Sequence, residues 1–351
     1  MKEKKMSETT DLDNSNYYPT LQYLPGDQLC PIPANERALQ TITAKPFVEA
    51  VDHFGDLEGL HFNRDGSILY FCNCPDDKVM AVDMETKEVS TVLEVNQYIP
   101  DGYIAAVKVH KDGRLFVAYL TTSFTSGGIF YCDPDGSGFH DIEIAKGIRA
   151  DDMIFDSEGN IYVTDMCGSP TLKTGTIEWI SADLTTRETV LKNLACPNGI
   201  ALSTDETILW ITDTASGELI RTELTEDKKG AHPLGQSVVY HTTGYMGPDS
   251  IVVDDDDNVY NALYFQGRIL VYNKYGFPIG QIFMPGRKEG RNLRTTHPCI
   301  RPGTNEIYIC ANDDVSKKAC IFKAGSFAPA NTHSFYLKGN RFYPSKERLP
   351  L

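Results

Sequence analysis

Residues 247–264 read GPDSIVVDDDDNVYNALY and contain the pattern on which the fold depends. The apolar run Ile251–Val253 leads into an acidic turn, and a second run from Val259 to Tyr264 leads out of it. Turn residues between two β-branched or aromatic runs are typical of a β-hairpin. Asp249 stands two residues before this hairpin, so the stretch predicts two strands with a carboxylate where the first strand begins.

The same pattern occurs six times between residues 60 and 312, with starts 47, 46, 47, 51 and 48 residues apart. A weaker second hairpin comes after each copy, as in KVMAVDMETKEVSTVL (78–93). The six copies are LHFNRDGSILYFCN (60–73), VKVHKDGRLFVAYL (107–120), MIFDSEGNIYVTDM (153–166), IALSTDETILWITD (200–213), IVVDDDDNVYNALY (251–264) and CIRPGTNEIYICAN (299–312).

Four antiparallel strands per repeat, repeated radially, are typical of a propeller blade. We therefore predict an all-β fold, a six-bladed β-propeller with four antiparallel strands per blade, that occupies residues 39–345 as one domain. Residues 1–38 are predicted to form an N-terminal extension that is partly disordered. A strand near Pro46–Val51 should complete the blade that begins at Cys299, because open terminal blades would expose unpaired sheet edges.

Composition restricts the partners. The chain of 351 residues has a formal net charge of −15, which argues against nucleic acid or an anionic membrane as a partner. No apolar stretch approaches the ~20 residues of a membrane span, and no apolar run comes after the basic N-terminus as in a signal peptide. The nine cysteines are scattered, as expected for buried free thiols in a reducing compartment. We predict a cytoplasmic protein with no nucleic-acid, membrane or protein partner.

One repeat position, two residues before each copy, is mostly polar. The innermost strand of a propeller blade runs along the central channel, so equivalent positions should form a ring at one mouth of that channel. Ser250 adds a hydroxyl beside one of them. The six residues of this mouth ring are Glu58, Ala105, Asp151, Asn198, Asp249 and His297.

Any one of these residues alone would be read as a turn former, since Asp and Asn favour turns. Three carboxylates around one axis repel one another, however, unless a proton or a cation neutralises them. A set of carboxylate and amide oxygens suits a hard divalent ion, with Ca2+ preferred and Mg2+ or Mn2+ as alternatives. Zinc is disfavoured because His297 is the one softer ligand of the set.

Other acidic segments are poorer candidates. The segment Asp133–Gly138 opens like an EF-hand loop, but position twelve is Ile144 and strands flank it where helices are required. For the pair Asp151 and Asp152, strand alternation predicts that one side chain alone faces the channel. The chain has no GxSxG, P-loop, GxGxxG strand–helix unit or HExxH. The sequence therefore lacks the motifs that would support a serine hydrolase, a nucleotide-binding protein or a zinc protease.

At these residues the chain resembles the gluconolactonase, senescence-marker and luciferin-regenerating family of calcium-dependent six-bladed propellers. The resemblance covers the chain from about Leu39 to the region of Ser334. The matching stretches include LEGLHF (57–62), DDMIFDS (151–157), NGIALSTDE (198–206), GPDS (247–250), GRILVYNKYGFPIGQI (267–282) and LRTTHP (293–298).

The resemblance implies a catalytic calcium held by Glu58, Asp151, Asn198 and Asp249, and we predict that Ser250, which matches the family's serine after the last aspartate, belongs to the same metal site. The resemblance also places the catalytic acid/base at Asp249. His297 is predicted to contact substrate. The family's second, structural calcium would lie near Thr125–Gly127. The match weakens there, because Glu143 replaces an aspartate and residues 145–150 differ, so the resemblance does not extend to that site.

The resulting hypothesis is calcium-dependent hydrolysis of a small-molecule lactone, with Asp249 moving the proton between the attacking water and the leaving alkoxide. Two alternatives stay open. The same metal site could serve an organophosphate or other ester hydrolase, or the propeller could be a calcium-binding scaffold without enzymatic activity. Tyr98 and Tyr103 favour an aromatic or apolar lactone.

Overall fold

The computed structural model describes residues 21, 29–53 and 55–331. Within them the chain forms strands and short 3₁₀ helices. The strands are β1 Gln40–Thr43, β2 Lys45–Val51, β3 Leu57–Phe62, β4 Ile68–Asn73, β5 Lys78–Asp83, β6 Val89–Glu94, β7 Gly102–Val109, β8 Leu115–Thr121, β9 Gly127–Cys132, β10 His140–Asp141, β11 Ala150–Phe155, β12 Ile161–Asp165, β13 Gly175–Ile180, β14 Arg187–Leu194, β15 Pro197–Leu202, β16 Ile208–Asp213, β17 Glu218–Leu224, β18 Ala231–His241, β19 Pro248–Val253, β20 Val259–Leu263, β21 Arg268–Tyr272, β22 Pro278–Phe283, β23 Arg294–Ile300, β24 Glu306–Asp313 and β25 Lys318–Gly325. The 3₁₀ helices are Ala34–Glu36, Cys74–Asp76, Val95–Gln97, Glu143–Ala145 and Arg287–Glu289.

The strands form six sheets, which are the blades of the propeller. In chain order, blades 1 to 4 are β3–β6, β7–β10, β11–β14 and β15–β18, blade 5 contains β19–β22, and blade 6 contains β23–β25. Each blade has four antiparallel strands, and blade 6 takes β2 as its fourth. The predicted six-bladed β-propeller is confirmed. None of the described helices is long and apolar enough to cross a membrane.

The hydrophobic core lies between the blades. One apolar cluster fills the space between each pair of neighbouring sheets; between blades 1 and 2, for example, Val79 and Leu93 pack with Ile104 and Phe130. Both faces of a blade are therefore covered, and strands such as β16 are buried along their whole length. This explains why the second strand of each repeat is a nearly continuous apolar run.

The N-terminal segment joins two blades. Strand β2 pairs antiparallel with β25, so the first residues of the propeller and its last strand lie in one sheet. Strand β1 pairs in parallel with β22 and adds a fifth strand to blade 5, which the sequence did not predict. Of the predicted extension, residues 21 and 29–38 are described, and Glu36 is buried against blade 5 in an ion pair with Arg268. The predicted domain limits at 38 and 345 stay a prediction, because residues 332–345 lie outside the described part.

Candidate functional site

The six innermost strands, β3, β7, β11, β15, β19 and β23, pack against one another around the channel. Each has one break in its register with the second strand of its blade, a β-bulge or irregularity at the position of the mouth ring. A bulge bends a strand and re-aims its side chains. The breaks lie between Glu58 and His61, Ile104 and Ala106, Ala150 and Met153, Pro197 and Ile200, Pro248 and Ile251, and Thr295 and Pro298.

Two glycines allow the strands to approach closely at this level. Gly59 has a φ of +64°, and a Cβ there would lie 2.5 Å from the Cα of Ala106. A Cβ on Gly199 would lie 2.6 Å from the Cα of Ser250. Both contacts are shorter than any side chain tolerates, so glycine after Glu58 and after Asn198 is a requirement of the packing.

The polar members of the mouth ring are close enough to influence one another. Asn198, Asp249 and His297 are buried, whereas the Glu58 side chain keeps 19% of its surface exposed and Asp151 is half-buried. The Asn198 amide donates a hydrogen bond to the Asp249 carboxylate. Ser250 is buried beside Asp249 on the same bulge. The site is thus a recessed acidic surface that solvent still reaches at its edge.

Burial and mutual repulsion dominate the electrostatics of the ring. Burial, with the charges of Asp249 and Asp151, raises the pKa of Glu58 well above its ordinary value. Burial and the charge of Asp151 do the same to the pKa of Asp249, although the hydrogen bond from Asn198 opposes them. Burial and Asp152 raise the pKa of Asp151 to about 7. These groups favour any change that removes negative charge.

The donor set fits a hard cation. Among the described residues no three His, Cys, Asp or Glu side chains are gathered tightly enough to form a metal cluster by themselves. The amide of Asn198 supplies a further oxygen: its Oδ1 is buried and has no hydrogen-bond partner among the described residues. A buried carbonyl oxygen without a partner, beside mutually repelling carboxylates, is what a divalent ion with oxygen ligands would use.

A charged group that the sequence reasoning missed lies below the ring. The buried Lys108 donates from Nζ to Asp152 Oδ1 at 2.9 Å and to His297 Nε2 at 3.1 Å. The prediction that Asp151 or Asp152 alone would face the channel is wrong. The register break between Ala150 and Met153 interrupts the alternation, so Asp152 also turns inward and reaches Lys108.

The signal for Lys108 was present in the repeats. A small cavity of about 50 Å³ lies beneath the ring. Its lining includes the second residue of each of the six repeat copies, so that each blade contributes one such residue. Four of these residues are apolar, and Lys108 and His61 are the exceptions. A lysine at a channel position of an otherwise apolar layer indicates a buried charge that needs a partner. The six are His61, Lys108, Ile154, Ala201, Val252 and Ile300.

Aromatic side chains stand near the mouth, although Tyr98 is not among them. Tyr98 stacks on Phe139 beside the outermost strand of blade 2, at 4.3 Å between ring centroids. Tyr103 packs against the half-exposed Phe124 at 5.7 Å. Across the channel Tyr264 contacts Phe265, which in turn contacts the exposed Tyr245. The Tyr264 hydroxyl accepts a hydrogen bond from Arg294 at 3.0 Å, and burial and the charge of nearby Asp56 raise its pKa.

The segment of the family's second calcium is occupied by internal contacts. Ser123 Oγ lies 2.8 Å from Thr125 Oγ1, and both hydroxyls belong to a turn closed by Thr121. Glu143 is exposed and forms an ion pair with Lys146 at 2.6 Å.

Comparison with known sequences places most of this chain in a family of related proteins. Residues 139–311 match the family model described as the SMP-30/Gluconolactonase/LRE-like region. A protein of Staphylococcus haemolyticus named lactonase drp35 is 45% identical over 299 residues, which cover 84% of this chain and 90% of that protein. The chain belongs to this family. The resemblance predicted from the sequence is therefore confirmed.

Solved structures with little sequence similarity share the fold. A luciferin-regenerating enzyme superimposes with a TM-score of 0.65 at 16% identity, covering 82% of this chain and 98% of its own. A calcium-binding protein, regucalcin from Agrobacterium tumefaciens, superimposes with a TM-score of 0.63 at 17% identity, covering 83% and 98%. At these identities the two structures establish the propeller architecture alone.

Proposed function

We propose that this protein hydrolyses lactones at the mouth of the propeller channel with the help of a divalent cation, calcium in the first place. The observation that carries the proposal is the mouth ring. Three carboxylates and an amide stand at one bulged position of four inner strands, and burial and mutual repulsion raise the pKa values of the carboxylates. The name lactonase borne by a relative at 45% identity supports the reaction, and the calcium-binding neighbour supports the cation.

Glu58, Asp151, Asn198 and Asp249 would hold the cation, with Ser250 adjacent. When bound, it would polarise the ester carbonyl and stabilise the negative charge that develops on its oxygen. Asn198 has two tasks in this arrangement. Its amide N–H orients the Asp249 carboxylate, and its buried Oδ1 remains available as a ligand.

Asp249 would move the proton. Water attacks the carbonyl carbon, and the carboxylate accepts a proton from it as the new C–O bond forms. The ester C–O bond of the lactone then breaks, and Asp249 returns the proton to the departing alkoxide. The product is the open hydroxy acid, and the carboxylate is regenerated. Burial raises the pKa of Asp249 in the metal-free protein, and a bound cation would lower it, so Asp249 would meet the attacking water in its ionised, proton-accepting form.

The aromatic residues at the mouth support an apolar substrate. Tyr103 and Phe124 stand on one side of the opening, and Tyr264 and Phe265 stand on the other. An apolar or aromatic lactone would bury its ring against these faces while its ester group lies over the acidic site.

The experiment is hydrolysis of aromatic and sugar-derived lactones by protein supplied with calcium, then treated with chelator, then resupplied. We expect activity that is lost with chelator and restored by calcium, highest on the aromatic lactones. Activity that is indifferent to chelation would contradict the cation. If the protein binds calcium but leaves every lactone intact and hydrolyses a phosphotriester, the organophosphate alternative replaces this one.

A further inference from the structure

The Lys108 ammonium fixes the hydrogen position on the His297 imidazole. An ammonium group has three N–H donors and no acceptor, so an imidazole nitrogen that contacts it must accept. The Nζ of Lys108 lies 3.1 Å from Nε2 of His297. The lone pair of Nε2 is therefore occupied by Lys108, and the hydrogen of the imidazole stands on Nδ1.

The Lys108 side chain is itself held in place. Its Nζ lies 2.9 Å from Oδ1 of Asp152, on the inner strand of the neighbouring blade, and the lysine is buried. His297 is fully enclosed on the inner strand of blade 6. The contacts thus join three inner strands across the channel, and neither Lys108 nor Asp152 can turn away from the other without leaving a buried charge unpaired.

The other imidazole nitrogen faces the proposed metal site. Nδ1 of His297 lies 3.8 Å from Oε2 of Glu58, and it has no hydrogen-bond partner among the described residues. A buried N–H without a partner costs free energy, and such groups are rare outside functional sites. An N–H that points at the acidic ring is available to an oxygen atom at the ring.

We propose that Lys108 is a positioning residue that holds His297 with its Nδ1–H directed at the mouth ring, so that His297 acts as a hydrogen-bond donor there and not as a general base or metal ligand. The predicted effect on kcat rests on the proposed lactonase function, whereas the predicted hydrogen position does not. The hydrogen position can be measured without any activity. It also decides between two roles of His297, since a base or a ligand would need the lone pair on Nδ1.

Nitrogen NMR of protein with 15N-labelled histidine tests the hydrogen position directly. The chain has eight histidines, and a His297→Gln variant identifies the signals of this one. We expect His297 to carry hydrogen on Nδ1 and a bare Nε2. A hydrogen on Nε2, or on both nitrogens, would overturn the proposal.

The Lys108→Met variant tests the cause. Its His297 signals should show hydrogen on Nε2 or a mixture of the two forms, and kcat for a lactone should fall about 10- to 100-fold, with a smaller change in KM. The Lys108→Met/Asp152→Asn variant removes the charge left unpaired and should show the same change in hydrogen position. Lys228→Met is the matched control, since it breaks the ion pair with Glu206 away from the channel and should leave His297 and kcat unchanged.

The outcomes separate this proposal from the proposed function. If the wild-type protein hydrolyses no lactone, that function fails, and the NMR measurement still decides the hydrogen position. If lactones are hydrolysed but Lys108→Met keeps full kcat with an unchanged His297 signal, the positioning role is wrong. A loss of folded protein without loss of kcat per folded molecule would show that Lys108 acts only in stability, and would also overturn the positioning role.

Discussion

Two clusters of buried charge in this propeller differ in how well their charges and hydrogen bonds are matched. On blade 5, Arg268 donates to Glu36, to Gln266 and to Gln281, and the Tyr240 hydroxyl donates to Glu36. The polar atoms of these side chains all have partners within the described residues. The cluster has one acid and one base, and it fastens residues 34–36 to the blade.

In the cluster at the channel mouth, carboxylates outnumber cationic groups and some polar atoms lack hydrogen-bond partners. Glu58, Asp151, Asp152 and Asp249 face one ammonium, that of Lys108. Three of its buried polar atoms have no partner among the described residues: Asn198 Oδ1, Asp152 Oδ2 and His297 Nδ1. Both clusters are largely buried, so burial alone does not distinguish them. Excess charge and unpaired atoms are expected of a ligand-binding site, whereas matched charges and hydrogen bonds are expected of a structural contact.

The largest expected effect is on catalysis at the mouth. Asp249→Asn removes the proposed proton carrier and should lower kcat/KM for a lactone by about 10²- to 10⁴-fold, the usual contribution of acid–base catalysis. Asp256→Asn, in the exposed turn of the same hairpin, is the control and should keep full activity. Near-normal turnover of Asp249→Asn with calcium still bound would remove the assignment of Asp249.

The next effect is on stability at blade 5. Arg268→Met leaves Glu36 buried and without its charge partner, so the free energy of unfolding should fall by about 3–5 kcal/mol. Glu36→Gln/Arg268→Met should recover much of this loss. Urea unfolding measures both variants. If Arg268→Met unfolds at the wild-type midpoint, the matched cluster has no structural importance and the contrast between the two clusters fails.

Calcium binding should stabilise the protein through the mouth cluster alone. At a calcium concentration 100 times the dissociation constant, the unfolding free energy should rise by about 2.7 kcal/mol. Glu58→Gln should reduce this gain, whereas the exposed-turn variant Asp256→Asn should retain it. Thermal unfolding with and without chelator measures the gain. An equal gain in Glu58→Gln would place the cation elsewhere.

The smallest effect concerns pH. The carboxylates at the mouth have raised pKa values, about 7 for Asp151 and about 6 for the neighbouring Asp56, so the folded state binds more protons than the unfolded state above pH 4. The stability of the metal-free protein should therefore fall as pH rises from about 4 to 7, by about 1–2 kcal/mol after allowance for solvent screening. Calcium should flatten this dependence. Metal-free stability that rises over the same range would contradict the raised pKa values of these carboxylates.

The sequence by itself determined the propeller and the residues of its mouth ring. The period of 46 to 51 residues, the hairpin turns and the polar residue before each copy are local patterns, and radial repetition converts an equivalent sequence position into a ring. The four oxygen donors Glu58, Asp151, Asn198 and Asp249 could be named for this reason. That these residues hold a cation, and which cation they prefer, stay predictions, because the oxygen set alone is compatible with several ions.

Only the tertiary structure decided which groups surround that ring. Alternation predicted one inward aspartate, but a bulge placed both Asp151 and Asp152 at the channel, because one extra residue in a strand reverses the direction in which the later side chains point. The contact of Lys108 with His297 joins residues 189 positions apart, and that of Glu36 with Arg268 joins residues 232 apart. No repeat or spacing encodes such pairs. They depend on the angle at which neighbouring blades meet around the channel, and this angle exists only once the propeller has closed.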